Sequence, residues 1–409
     1  MHTKSRNVTQ IPAVLKAAPA ALGNSAKSHS PSRAERFQNQ ATARILLPKE
    51  RVRYCFRSRS SSEDVSVWRS DQYQRAHYKG LKTCGSVWHC PVCAAKISER
   101  RRGELEAAMA VHKARGGEVL LLTLTNSHHR RHKLSDLLAG QTKALTLFRG
   151  GKKAVALFSG MGVVGMVRAW EVTHGESGWH PHFHILVFLR APLADLQGWR
   201  DCLARRWQNC CRSAGLPIPD LVHGCDLQDG GYAARYASKW GLSDEVTKGH
   251  TKKGRAGGKT PFDLLREVTE TGDAAPAALF QEYAVCFKGK RQLVWSPGLK
   301  AALAVEEVSD EEIAESADAS SVLLGHLSAD DWRLVVRTHS RAAVLDAAEQ
   351  SWPAVLDLLR RLSHQPPPTF EEENDDVLRP AERSKGKGGL SPLLSRNRDQ
   401  GARVHGFPA

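Results

Sequence analysis

The stretch Gly178-Trp179-His180-Pro181-His182-Phe183-His184-Ile185-Leu186-Val187-Phe188 decides how the rest of the chain is read. Three histidines stand at every second position, and the side chains of a β-strand alternate between faces with a period of two. One face therefore carries His180, His182 and His184, and the other carries Phe183, Ile185 and Val187. Two imidazoles two residues apart on one strand can grip one divalent metal ion. The competing reading is a strand whose histidines are hydrogen-bonded at the surface; the regular alternation and the clean apolar side favour the metal pair.

Working outward, Gly162 to His174 reads as a strand, and the turn at Gly175 to Gly178 leads straight into the histidine strand. The two should pair as a hairpin. Glu171 then falls near the metal face, as a third ligand or as an ordinary cross-strand carboxylate. Upstream, Glu118 to Thr125 is a short, apolar, buried strand. Val222 to Asp226 and Arg291 to Leu299 read as short strands. Helices are expected over Ile97 to Arg115, Leu134 to Phe148, Ala194 to Ala214, most of Pro261 to Lys290, and within residues 329 to 363. A further helix, Asp229 to Trp240, places Tyr232, Tyr236 and Trp240 at i, i+4 and i+8 on one side.

The chain has 409 residues, enough for two or three domains. A net charge of +16 and a pI near 9.6 point to a polyanionic partner, nucleic acid first, rather than to a neutral metabolic enzyme. No apolar run reaches the roughly 18 residues of a membrane span, so no membrane partner is expected. The first forty residues lack the apolar core of a secretion signal, which predicts a cytoplasmic protein. The glycine-rich loop from Glu245 to Thr260 carries Lys248, Lys252, Lys253, Arg255 and Lys259, a set suited to phosphates. Gly257-Gly258-Lys259-Thr260 invites a phosphate-loop reading, but that motif needs glycine where Lys253 stands. The chain is therefore not its own ATP-driven helicase.

Of nine cysteines, four cluster early: Cys55, Cys84, Cys90 and Cys93. Cys90-Pro91-Val92-Cys93 is a knuckle that puts two thiolates on one metal. Cys84 and Cys55 complete a tetrahedron, with His89 as a substitute. Four protein ligands leave no open position, so the site is expected to hold structural zinc; a redox pair would need a βαβ context that is missing.

A histidine pair, a carboxylate, a following tyrosine helix and a basic surround suggest one chemistry. A metal acts as Lewis acid on a phosphodiester, and a tyrosine hydroxyl attacks phosphorus, dividing one cleavage into two reversible transesterifications. Tyrosine has a pKa of about 10, so its phenolate needs a nearby cation; the metal and Lys239 are the candidates.

Leu122-Thr123-Leu124-Thr125, His182-Phe183-His184 and Tyr236-Ala237-Ser238-Lys239, in that order, resemble the three motifs of HUH endonucleases, most of all plasmid rolling-circle replication initiators. Cys84 to Cys93, Trp170 to Thr173 and Arg291 to Leu299 share the likeness, which covers roughly residues 50 to 300. Conjugative relaxases place their tyrosine before the histidines; here it follows. The resemblance implies an α+β fold: an HUH-type antiparallel five-stranded sheet with helices on one face, preceded by a small zinc-binding region and followed by a helical C-terminal region. The boundaries would be a disordered arm (1–44), a zinc-binding region (45–102), a nicking and joining domain (103–300), a helical region (301–364) and a disordered tail (365–409). It implies that His182 and His184 hold magnesium or manganese, with Glu171 as third ligand, and that Tyr236 is the nucleophile. Tyr232 stands where some members have a glutamate used in termination, and could serve a second step. The implied partners are plasmid origin DNA, as a single-stranded or hairpin nick site, and a host helicase and DNA polymerase. A transposase of the same superfamily, or a non-catalytic zinc-containing DNA-binding regulator, are the alternatives.

Overall fold

The computed structural model describes residues 32–71, 74–239, 258–316 and 320–364. In chain order the strands are β1 (Val65–Ser70), β2 (Ala76–Lys79), β3 (Glu118–Leu124), β4 (Val163–Gly175), β5 (Gly178–Leu189), β6 (Cys225–Gln228), β7 (Leu293–Trp295) and β8 (Ser321–Leu327). Five of them form an antiparallel sheet in the order β6-β3-β5-β4-β7, so the histidine strand β5 is central. The first helices are α1 (Arg33–Leu46), α2 (Pro91–Ala114), α3 (Leu134–Arg149), α4 (Lys152–Gly160), α5 (Leu196–Ala214) and α6 (Gly230–Lys239).

The alternation of β5 sets the layers. Phe183, Ile185 and Val187 point into one core with Leu120, Leu122 and Leu124, under α3, α5 and the helices Pro261–Thr271 and Ala274–Phe287. On the opposite face the histidines occupy one end. Leu186 and Phe188 occupy the other, packed with Leu105 and Ala108 of α2 and Ala233 and Ala237 of α6. Helices thus cover both faces rather than one. Leu186-Val187-Phe188-Leu189 has no polar alternation, and a strand that is apolar on both sides needs cover on both.

The hairpin forms as its sequence predicts, with Gly175 opposite Gly178. Gly178 has φ +88°, and a Cβ there would lie 3.0 Å from the Arg130 backbone, so only glycine fits this corner.

Residues 1–44 are expected without structure, yet Arg33–Leu46 is a helix, begun by a reciprocal cap between Ser32 and Glu35. Its buried side includes Asn39, Gln40, Thr42 and Arg44, so it lacks the apolar period by which a packed helix is recognised. The cysteine-bearing segment and the C-terminal segment also prove inseparable. β1 pairs with β2 on one side and with β8 on the other, and Val65, Val67, Tyr78, Leu327, Trp332, Val344 and Val355 share one core. Strand β8 lies inside the stretch 301–364 that reads as a helical region, and its tie to β1 spans most of the chain. The expected tail from 365 and the first 31 residues lie outside the described residues. Trp332, 1% exposed, fills this second core edge-on to Tyr78 and donates its indole N–H to the Arg57 carbonyl at 2.7 Å. Trp332→Ala should cost about 3–5 kcal/mol in denaturant unfolding; a loss below about 1 kcal/mol would show that the module does not depend on this contact. Among the described residues no helix is long and apolar enough to cross a membrane.

Candidate active site and a four-cysteine centre

Register brings the first cluster together. On the hairpin Glu171 stands directly opposite His182, and Thr123 of β3 stands opposite His184. Glu171 Oε2 lies 3.5 Å from His182 Nε2 and 3.4 Å from His184 Nε2. Ligand atoms about 2.1 Å from one ion sit roughly 3.0–3.4 Å from each other, so the three groups fit a divalent cation. The three side chains are only 14–18% exposed, so the cluster is partly sheltered but open on one side. The far nitrogens are already occupied: His182 Nδ1 lies 3.2 Å from the His180 carbonyl, and His184 Nδ1 lies 3.0 Å from Thr123 Oγ1. A hydrogen bond at Nδ1 fixes the ring and leaves the Nε2 lone pair for a metal. Burial alone would raise the Glu171 carboxyl, but the His184 and His182 imidazoles outweigh it and hold it well below the usual carboxylate range. Glu171 is therefore ionised at neutral pH.

Helix α6 delivers the tyrosine. Ala233 and Ala237 are fully buried, and their small side chains let the helix lie close on the sheet. Tyr236, between them, donates its hydroxyl to Glu171 Oε1 at 2.6 Å, with its ring 4.8 Å from that of His184. The second tyrosine departs from expectation. Tyr232 is 48% exposed, with the Arg235 guanidinium 4.1 Å from its ring centre. It has no hydrogen bond or ring contact with the cluster among the described residues. It lies in the first turn of α6, outside the interval set by Ala233 and Ala237. Lys239 closes α6, and its side chain is outside the described part. His180 lies next to the pair, its ring centre 5.1 Å from that of His182 and its Nδ1 3.2 Å from His128 Nδ1.

Of the basic loop, Lys248, Lys252, Lys253 and Arg255 lie outside the described residues. Lys259 does not hang free: its backbone bridges His174 at the end of β4, and its ammonium pairs with Glu267.

One positioning residue escaped the sequence reading. The pairing of β3 with β5 stops at Leu124 and Phe183, short of Pro181. Gln141 of α3, fully buried, donates to the Pro181 carbonyl at 2.6 Å and to Asn126 Oδ1 at 2.8 Å, and accepts from Trp170 Nε1 at 3.2 Å. The signal was a glutamine inside the apolar stripe Leu134, Leu137, Leu138, Ala144, Leu145. Gln141→Leu should cost about 1–3 kcal/mol by stranding these groups, read in thermal unfolding; a neutral substitution would mean the carbonyl is satisfied otherwise.

The second cluster is built from the expected cysteines. Cys55, Cys84, Cys90 and Cys93 are all buried and unbonded to each other. Their sulfurs stand 3.7 Å (Cys55–Cys90), 3.4 Å (Cys55–Cys93) and 3.6 Å (Cys84–Cys93) apart. Four thiolates about 2.3 Å from one ion form a tetrahedron with edges near 3.8 Å, whereas a disulfide needs about 2.05 Å. The spacing therefore fits a metal. The knuckle is the first turn of α2: Cys90 caps the helix, accepting from the Cys93 N–H, and Pro91 takes the first helical position. His89 is not a ligand; its Nε2 sits 2.9 Å from the Ala284 carbonyl.

Glu171, His182 and His184 on the central strands of an antiparallel sheet thus meet Tyr236 of a helix, and four cysteines form a second group that could hold a metal ion. Residues 77–333 match the family model described as "Replication protein", and the chain belongs to that family. The chain is 28% identical to "Protein rep" of Streptomyces lividans, over 66% of this chain and 75% of that one. A shorter likeness, 32% identical over 27% of this chain and 31% of the relative, is to a "Neomycin resistance protein" of Streptomyces cyanogenus. No solved structure matches.

Proposed function

We propose that the chain initiates rolling-circle replication of a plasmid as an HUH-type endonuclease, nicking and rejoining one DNA strand at the origin through Tyr236. The observation that carries this is the single carboxylate of Glu171, which accepts the Tyr236 hydroxyl on one oxygen and faces both histidines with the other.

The chemistry follows from these positions. Tyr236 Oη forms a bond to phosphorus, and the bond from phosphorus to the 3′ oxygen breaks. The phenol gives up one proton and the leaving 3′ oxygen gains one. The products are a 5′-phosphotyrosine and a 3′-OH that can prime synthesis. In the reverse sense a 3′-OH attacks the phosphotyrosine and the strand is rejoined without ATP. Glu171 orients the phenol, although a carboxylate by itself disfavours phenolate. A divalent ion, magnesium or manganese, held by His182, His184 and Glu171 would supply the opposing positive charge and polarise the non-bridging phosphate oxygens. Lys239, three residues after Tyr236, is proposed to add a second charge. Zinc is proposed for the four cysteines, and Lys248, Lys252, Lys253 and Arg255 as phosphate contacts. A host helicase and polymerase would act on the nicked product.

The direct test uses labelled single-stranded oligonucleotides tiled across the DNA around the coding sequence, with magnesium or manganese. One cleavage point is expected, with the downstream fragment attached to protein through its 5′ phosphate and the upstream fragment released with a 3′-OH. Binding without cleavage of any oligonucleotide would leave a non-catalytic regulator as the better account. Thr123→Val tests the geometry more finely. It removes the hydroxyl at His184 Nδ1 and should raise the metal concentration needed for nicking about 10–100-fold; an unchanged metal titration would show that Thr123 does not orient the ring.

A further inference from the structure

A groove of about 1710 Å³ lies away from the tyrosine site, between α1, β2, one side of α2 and residues 304–316. Its lining holds nine Lys and Arg side chains against four Glu. Several of the cations are already committed within the protein: Arg33 to Asp346 and Glu349, Arg51 to Glu311, Arg102 to Glu99 and Glu106. Arg75, Lys79 and Lys82 have no carboxylate partner among the described residues. Lys79 lies 3.6 Å over the Trp68 ring and Lys82 lies 6.0 Å from that of Tyr54. Like charges also crowd here: burial, then Arg33 and Arg75, push the Arg36 guanidinium down. Such crowding costs folding free energy and is relieved by an anion seated among the charges.

We propose that this groove holds the double-stranded DNA flanking the nick site, through its phosphates. The proposal rests on the reading above that the chain acts on DNA. A polyanion fits the unpaired cations. A duplex fits better than a single strand because the lining offers cations rather than open stacking faces: Tyr54, the exposed aromatic ring here, is already approached by Arg53 and Lys82. The long wall is α2 from Ala95 to Ala107, about 18 Å of helix axis, or roughly five base-pair steps. The same helix sends Leu105 and Ala108 into the core that seats Ala233 and Ala237. Duplex against α2 would therefore enter on the helix that braces the tyrosine.

The test is the triple variant Arg75→Gln, Lys79→Gln, Lys82→Gln, with Lys79→Arg, Lys82→Arg as the charge-preserving control. The probes are a 30-base-pair duplex of arbitrary sequence and the same sequence as a single strand, about 30 units long in both cases so that only strandedness differs. For the duplex, the slope of log affinity against log salt should fall by about 2.7, about 0.9 for each of three lost phosphate contacts. The control should keep the wild-type slope, and circular dichroism should be unchanged. An unchanged slope in the triple variant overturns the proposal. A slope reduced for the single strand but not the duplex also overturns it, and assigns the groove to single-stranded DNA. Failure of the nicking assay with the slope change intact would overturn the endonuclease reading and leave the groove standing.

Discussion

Tyr236→Phe is expected to lose the covalent protein–DNA adduct completely and to lower strand cleavage by at least about 10³-fold, some 4 kcal/mol of barrier. The substitution removes one oxygen and little else. The ring that lies 4.8 Å from His184 remains, as do Ala233 and Ala237 beneath α6. Glu171 keeps both histidines within 3.5 Å, so metal affinity should survive. This separates a lost nucleophile from a collapsed site: adduct formation vanishes while metal binding and thermal stability stay near wild type. An oligonucleotide with a bridging sulfur at the nick traps the adduct, and peptide mapping locates it. Tyr232→Phe, on a ring that is exposed under Arg235, should leave the first cleavage intact. An adduct mapped to Tyr232 would reverse the assignment. Loss of strand transfer alone in Tyr232→Phe would give that tyrosine a second step the present geometry does not supply.

The difference between the two tyrosines shows where sequence reasoning reached and where it stopped. Helical spacing puts Tyr232 and Tyr236 on one side, which is true of an isolated helix. The neighbours decide which one meets the sheet, and here Ala233 and Ala237 do so. The histidine strand was legible because a period of two is a purely local property. Glu171 was legible because a short turn fixes hairpin register. The cysteines were legible as a set because metal ligation restricts spacing so tightly. What was hidden depends on distant partners. Helix α1 buries amides and a guanidinium among Phe37, Ala41, Ala43 and Leu46, and β1 finds β8 some 250 residues away. The pairing of those strands leaves no local trace, so two regions that read as separate share one core.

That shared core leads to the second large effect, on the four-cysteine centre. Removing the zinc proposed for it, or substituting Cys90→Ser, should loosen the β2-β1-β8 module, because the four cysteines tie the start of α2 to the segments that lead into β1 and out of β2. Cys55 follows a short turn, Cys84 lies in a loop, and Cys90 and Cys93 open α2. Zinc contributes about 10–16 kcal/mol in small zinc-dependent folds, as large as a domain's whole net stability of about 5–15 kcal/mol. The surroundings show how the centre reaches the C-terminal segment. Gln40 donates to Cys90 Sγ at 3.1 Å, and Arg341, 4% exposed, donates to Gln40 Oε1 at 2.9 Å and to the Phe56 carbonyl at 3.1 Å. Burial, then Arg57, push the Arg341 guanidinium down to about 10, and the nearby thiols act in the opposite sense. Four thiolates on one zinc carry a net charge of −2, which is the compensation a buried guanidinium needs. With zinc bound as proposed, its removal would strand Arg341 as well as free the four thiols. The expected result is one zinc per chain by elemental analysis, and a melting temperature that falls by well over 10 °C on chelation, since about 1 kcal/mol corresponds to at least ~2 °C in a domain of this size. Arg341→Met should release zinc to a chromogenic chelator faster than wild type. A zinc-free protein with an unchanged melting temperature would show that the four sulfurs are held together by packing alone.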